Sequence, residues 1–206
     1  MYIGQNYYSL FPQLQKIIQL YKEIEKITSS VKYLFSVNCP YGCGQCCNTG
    51  SHNIEASIIE MLPLCVYLYE NNSYQFWINK ACNNLCPFYE AETLYNNTGR
   101  CAVYEYRPLV CRLFGFSFMK NKYGAIVPVT CPTLQKQFTA QKNTTAVTPE
   151  MLPLMSTFSL QSIMIDPAIG TNRYPIDEAF RKAMNYVIYK MELYHQSTMT
   201  DMDRTA

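Results

Sequence analysis

Residues 9–31 read SLFPQLQKIIQLYKEIEKITSSV, and the spacing of their apolar side chains sets the fold class. Leu10, Leu14, Ile17, Ile18, Tyr21, Ile24 and Ile27 recur at intervals of three and four, with Lys and Glu between them. That is the period of a helix with one face in a core, and it predicts a helix from Ser9 to Val31. The other end of the chain repeats the pattern in YPIDEAFRKAMNYVIYKMELY, residues 174–194. There Pro175 opens a helix, acids fill its first turn, and Ile176, Phe180, Ala183, Val187 and Met191 form one stripe. The polar tail after His195 is expected to fray.

Between these two helices the pieces are shorter. SIIE at Ser57–Glu60 has the order of a capping box, and the apolar run behind it predicts a helix toward Tyr69, ended by ENNS, with Pro63 about a turn inside. SYQFWINKAC, residues 73–82, predicts another short helix, and TPEM predicts one more, with Thr148 as cap and Pro149 at the first helical position. NNTG at Asn96–Gly99 marks a turn. FGFSFM and AIVPV, on either side of KNKYG at Lys120–Gly124, predict a hairpin whose Pro128 places it at a sheet edge. The expected fold is therefore mainly α with a small irregular or β cysteine-rich insertion. It is expected to form a single domain over residues 1–206, with a cysteine-cluster core at 38–132 and packing helices at 1–37 and 145–195.

Composition excludes some functions. Charged residues make up 16% of the chain and the net charge is +2, so no basic field is available for nucleic acid and no acidic run suggests a solvated tail. The N-terminus lacks the basic, apolar and small-residue order of a secretory signal, and the longest apolar runs are too short to span a membrane. The expected compartment is the cytoplasm, where thiols stay reduced, and ten cysteines there point to metal. The competing reading is a disulfide framework. The cysteine number is even and sequons occur at Asn71, Asn96 and Asn143, although a chain rich in Asn and Thr produces such sequons by chance.

The stretch NCPYGCGQCCN, Asn38–Asn48, holds Cys39, Cys43, Cys46 and Cys47 within nine residues. Ligands so close in sequence converge on one ion without closing a long loop, and Gly42 and Gly44 let the backbone turn sharply. Thiolates select zinc, copper(I) or iron–sulfur over calcium or magnesium. Cys86, Cys101, Cys111 and Cys131 continue the pattern. The Cys-x-x-x-Cys-x-x-Cys spacing is shared with radical S-adenosylmethionine enzymes. Gln45 before the third cysteine, and the lack of repeated strand–helix units, argue against that fold. Eight thiols suit one centre with spares or two four-ligand sites. Vicinal Cys46 and Cys47 hint at two destinations, since neighbouring side chains diverge.

GCGQCC, CPFY at Cys86–Tyr89, CAVYEYRPLVCRLF at Cys101–Phe114 and Cys131-Pro132 together resemble the YkgJ-like cysteine-cluster family of zinc- or iron-chelating CxxCxxCC proteins. The resemblance spans roughly Asn38–Pro132, with Tyr89 and Thr133 departing from the family's Leu and Gly. It implies a shared metal-binding role for Cys39, Cys43, Cys46, Cys47, Cys86, Cys101, Cys111 and Cys131, with zinc or an iron–sulfur cluster, of the 4Fe-4S type, as cofactor. A motif relative, flagellin lysine N-methylase, implies the alternative of a methyltransferase that uses S-adenosylmethionine. An oxidoreductase that uses the cluster, and a structural zinc domain for partner binding, are further alternatives. No glycine-rich strand–helix word for S-adenosylmethionine is present, and a protein substrate or partner stays unnamed.

Four thiolates around Zn²⁺ or a 4Fe-4S core leave a net charge near −2, which burial penalises unless cations or N–H groups answer it. Arg107 and Arg112 bracket Cys111 and are expected to hold that charge, the alternative being surface ion pairs with Glu105 or Glu90. Pro108 is expected to start a helix whose positive end favours the Cys111 thiolate. Tyr104 and Phe114 are expected to shield the site. His52 is expected at the surface or behind the ligands, Cys65 as a small buried hydrophobe, and Cys82 lies within reach of the site but outside the family words.

Overall fold

The computed structural model describes residues 3–40, 43–48, 50–80, 85–91, 99–140 and 152–203. Among them the chain is mainly helical, with small antiparallel strand pairs. None of these helices is long and apolar enough to cross a membrane. The expected helix at Thr148, the residue Cys82 and most of the NNTG turn lie outside the described residues.

The N-terminal helix is two helices. Helix α1 spans Asn6–Leu10 and α2 spans Gln13–Phe35, separated at Phe11 and Pro12. Proline lacks the N–H that a continuous helix needs, so the helix from Ser9 is broken there and restarts behind Pro12. Leu14, Ile17, Ile18, Tyr21 and Ile24 are buried as the period requires, but Ile27 is 38% exposed and the buried stripe passes instead through Thr28, Val31 and Phe35. Ser36 ends α2 in the left-handed conformation, φ 48°, and aims the chain into the cysteine loop.

Helix α3, Ile58–Glu70, runs through Pro63, and its N-terminus is capped only in half. The Glu60 carboxylate accepts the Ser57 N–H, whereas the Ser57 hydroxyl donates to Glu60 Oε1 at 3.2 Å and caps no backbone group. Arg173 explains the diversion: its Nη1 donates to Glu60 Oε1 at 2.6 Å, and the carboxylate is fully buried. Helix α4, Tyr74–Asn79, follows as expected. Strands β1 (Glu55–Ala56) and β6 (Tyr174–Pro175) pair antiparallel and tie the start of α3 to the start of α9, Ile176–Asp203. The stripe Ile176, Phe180, Ala183, Val187 and Met191 is buried throughout. The tail does not fray after His195; with no proline or glycine to stop it, α9 continues to Asp203.

Three buried clusters place the cysteine-bearing segments within this frame. One joins α3 and α9 to Cys86, Phe88, Val103 and Tyr106. A second joins Ile17, Leu20, Tyr21 and Ile24 of α2 to Leu109 and Leu113 of α5, Leu109–Leu113, and to Phe158 of α7, Met155–Ile165. The third packs Val31, Phe35 and Val37 against Phe116, Phe118 and Leu134. Phe116 and Phe118 belong to the hairpin, in which β4 (Ser117–Lys120) pairs with β5 (Ile126–Val129), Pro128 opposite Phe118. Leu134 belongs to α6, Pro132–Ala140. The helix α8, Pro167–Gly170, completes the elements, its first turn held by Asp166 Oδ1, which accepts the Ala168 N–H.

Candidate metal centre

The cysteine loop leaves Val37 buried and is fastened at both ends. At its start, Asn38 N–H donates to Gln137 Oε1 at 2.9 Å and Gln137 Nε2 donates back to Asn38 O at 3.1 Å, which joins the loop to α6. Thr133 Oγ1 donates to Gln45 Oε1 at 3.4 Å, a second tie to the same helix. Cys131 precedes α6, and its carbonyl accepts the Gln135 N–H. At the loop's far end Gly50 bridges Leu85, next to Cys86. Cys86 O in turn accepts the Tyr89 N–H, and Tyr89 faces Cys101 across the strand pair β2 (Tyr89–Glu90) and β3 (Arg100–Cys101). Gly99 makes this pair possible: φ is +50°, and a Cβ there would stand 2.4 Å from the Tyr89 ring. Cys111 sits on α5, a helix of five residues that starts after Pro108, not at it. The stacking of Tyr106 on Tyr67, ring centroids 4.0 Å apart, holds the approach to α5 against α3.

Within this frame the thiols meet. Cys46 and Cys47 are neighbours, and Cys47 has Cys101 as another. The Cys47 pKa is driven up by the neighbouring Cys101 and Cys46 thiols and by burial. The Cys47 thiol is the main reason that Cys46 falls to about 6; partial desolvation opposes this, and its own N–H, Arg107 and the Cys47 N–H add to it. Cys101 is lowered chiefly by Cys47, with the Val103 N–H and Arg107 assisting against burial. Cys111 is pushed well up by burial and by the nearby Cys86, Cys101 and Cys46, with Arg107 opposing. Cys39, though exposed, is raised by partial desolvation of its sulfur and by Cys43, Cys46 and Cys131, with Lys32 opposing. Each of the eight cysteines thus has at least one other as an electrostatic neighbour. Among the described residues, no three Cys, His, Asp or Glu side chains surround one point as closely as an ion requires, so coordination needs the thiols to turn inward.

The two arginines part company. Arg107 faces Cys46, Cys101 and Cys111, its guanidinium lies 3.8 Å from the centre of the Tyr104 ring, and its buried Nε has no hydrogen-bond partner. Arg112 is buried and turned toward α2. Its Nε donates to Arg107 O at 2.8 Å, Nη2 to Glu105 O at 2.6 Å and Nη1 to the Glu25 carboxylate, while the guanidinium covers the Tyr21 ring at 4.3 Å. Buried rather than at the surface, Arg112 uses each of its three nitrogens on oxygen and clamps α5 to α2. Sequence reasoning missed Glu25 and Tyr21 as its partners. Both lie on α2, more than eighty residues away, and a polar residue on a helix face gives no sign of what meets it. Glu90 pairs with Arg100 at 3.3 Å.

The remaining residues divide as follows. Tyr104 is 58% exposed, and its ring lies on the Arg107 guanidinium. Phe114 is half-buried. His52 is exposed, with its ring folded over Gly50. Cys65 is fully buried beneath α9, 3.9 Å from Phe180 O, and burial pushes its thiol up.

The donor chemistry suits a soft metal. Two thiols are already lowered toward the thiolate form, and a cation with an unused N–H stands beside them. A mainly helical body that carries a cysteine-rich segment is the class these features define. Residues 38–132 match the CxxCxxCC family, whose description reads "Putative zinc- or iron-chelating domain". No curated protein and no solved structure is similar enough to match the chain.

Proposed function

We propose that this protein binds metal through a cysteine-thiolate site drawn from Cys39, Cys43, Cys46, Cys47, Cys86, Cys101, Cys111 and Cys131, filled by zinc or a 4Fe-4S cluster, in the reducing cytoplasm. The observation that supports the reading is that the cysteine loop is tied through Asn38 and Gln45 to the helix behind Cys131 and through Gly50 to Leu85, next to Cys86, so that cysteines from distant parts of the chain lie in one region. Apolar burial alone would not assemble them there: the loop itself is largely exposed, and its ends are held by hydrogen bonds. Metal that binds folded thiolates and not the unfolded chain contributes its affinity to folding. Arg107 answers the negative charge that four thiolates impose. The whole of residues 1–206 acts as one unit in this reading, its terminal helices buttressing the segment 38–132.

Anaerobic purification followed by metal analysis and an absorption spectrum tests the proposal. The expected result is bound zinc, colourless, or bound iron with sulfide and a visible charge-transfer band. A chain that emerges folded, with all its thiols free and no metal after reconstitution with either, overturns it.

A further inference from the structure

We infer that the outer face of α2 and α7 is the contact surface of a homodimer, packed on the same face of a second copy of this chain about a two-fold axis that crosses the two helices near Gln19 and Gln161. The inference is independent of the metal-binding reading. Its first ground is the reversed burial of α7. Phe158 and Ser162 face inward and are buried, the Ser162 hydroxyl donating to Ser159 O at 2.9 Å, whereas Leu160 and Met164 on the opposite side are 60% and 79% exposed. A helix that served only this body would carry the serine outside and the leucine inside. α7 runs antiparallel to α2: just past its end Asp166 Oδ2 accepts from Gln13 Nε2 at 2.9 Å, and just before its start Leu154 packs on the cluster of Val31. Between the two helices lies an open groove of about 470 Å³, lined among others by Lys16, Gln19, Leu20 and Glu23 of α2 and by Gln161 and Ile165 of α7.

The charges of the face indicate what covers it. Lys16 and Glu23 are exposed and lie two turns apart on one side of α2. Among the described residues neither enters an ion pair; Glu23 Oε1 accepts from Gln19 Nε2 at 3.2 Å. One cation and one anion favour neither an acidic nor a basic partner, but a face that carries both complements itself. With α2 antiparallel to the α2 of the second copy, Lys16 stands opposite the partner's Glu23 and Glu23 opposite the partner's Lys16, and the axis passes midway, between Gln19 and Leu20. The antiparallel course of α7, with Asp166 beside Gln13 and Leu154 near Val31, puts that level beside Gln161 and Ser162, midway between Leu160 and Met164. The same axis therefore sets Leu160 against the partner's Met164, a contact that occurs twice and withdraws four exposed apolar side chains from water. Ile27, 38% exposed and in line with Lys16 and Glu23, comes against the partner's Pro12, which is exposed as well. A single operation thus matches the charged row and the apolar row together.

Sedimentation equilibrium of the anaerobically purified full chain across a concentration series tests this, with Lys16→Glu, Glu23→Lys, the double variant of the two, and Met164→Lys. All three positions are exposed, so the circular dichroism of parent and variants should coincide. The parent is expected to be a reversible dimer. Each single reversal sets like charges opposite one another twice across the axis and should raise the dimer dissociation constant about tenfold. The double variant exchanges the two charges and should restore the parental constant, and Met164→Lys should sediment as a monomer. A parent that stays monomeric at every concentration overturns the inference and leaves the face to a different protein. A dimer that none of the variants weakens overturns it too, and so does one that the single reversals weaken and the double variant does not restore.

Discussion

Replacing Arg112 with methionine should destabilise the fold and spare the metal. The substitution keeps side-chain length and deletes a guanidinium whose three nitrogens donate to Arg107 O, Glu105 O and Glu25. The two carbonyl bonds contribute ~1–1.5 kcal/mol each, and the cation over Tyr21 adds ~1 kcal/mol. The Glu25 pair adds little, because the Glu25 side chain is 54% exposed and hydrates when its partner leaves. The sum is ~3 kcal/mol, which for a chain of this size lowers the melting temperature by roughly 6–12 °C. Circular dichroism melts of anaerobic parent and variant measure that shift, and metal analysis of the same samples measures occupancy. Arg107→Met should behave oppositely, with metal affinity down ~10–100-fold and little loss of helix stability. An Arg112→Met protein that melts like the parent but purifies without metal would refute the reasoning, for it would return Arg112 to the thiols.

Three further outcomes follow from single residues. Burial raises the Glu60 pKa in the folded state above its ordinary 4.5, with Arg173 opposing, so the native state holds that proton more tightly than the unfolded chain. Its contribution to stability is therefore greatest below pH 4.5 and declines as pH rises toward the folded value; denaturation midpoints of parent and Glu60→Gln across pH 4–7 should converge toward the acid end or cross there, and a constant gap would contradict this. Gly99→Ala places a Cβ 2.5 Å from Glu90 O at a positive φ, and should cost more than ~1 kcal/mol from the backbone alone, with amide-exchange protection falling first at Tyr89 and Cys101. Cys65→Ala should retain the full metal content of the parent, since Cys65 lies beneath Phe180 and apart from the other thiols; a loss of metal would make it a ligand.

What could be read in advance depended on whether the signal was local. The stripe of α9 needs only its own period, and all five of its residues are buried. The same reasoning applied to α2 carried through Pro12, where the missing N–H outweighs an apolar pattern that continues on both sides, and it buried Ile27, where the helix turns from its contact with α5 and α7 to its contact with the hairpin and α6. The capping box at Ser57 half failed for a reason located over a hundred residues away, in Arg173. Among the candidate site residues, the cysteines stand out by residue type and spacing alone, and their role as ligands is the proposal made above. Arg107 and Arg112 have nearly the same local context, two charges around Cys111, yet one faces sulfur and the other faces Glu25. Arg107 lies before Pro108 and Arg112 on α5, and only the packing of α5 on α2 turns Arg112 to Glu25.

X-ray absorption at the zinc or iron edge of the anaerobically purified full chain tests the central claim most directly, because it reports the atoms bonded to the metal. The account predicts a first shell of sulfur alone, at about 2.3 Å for zinc or for an iron–sulfur cluster ligated by cysteine. A first shell dominated by nitrogen or oxygen would contradict it, whatever the metal content.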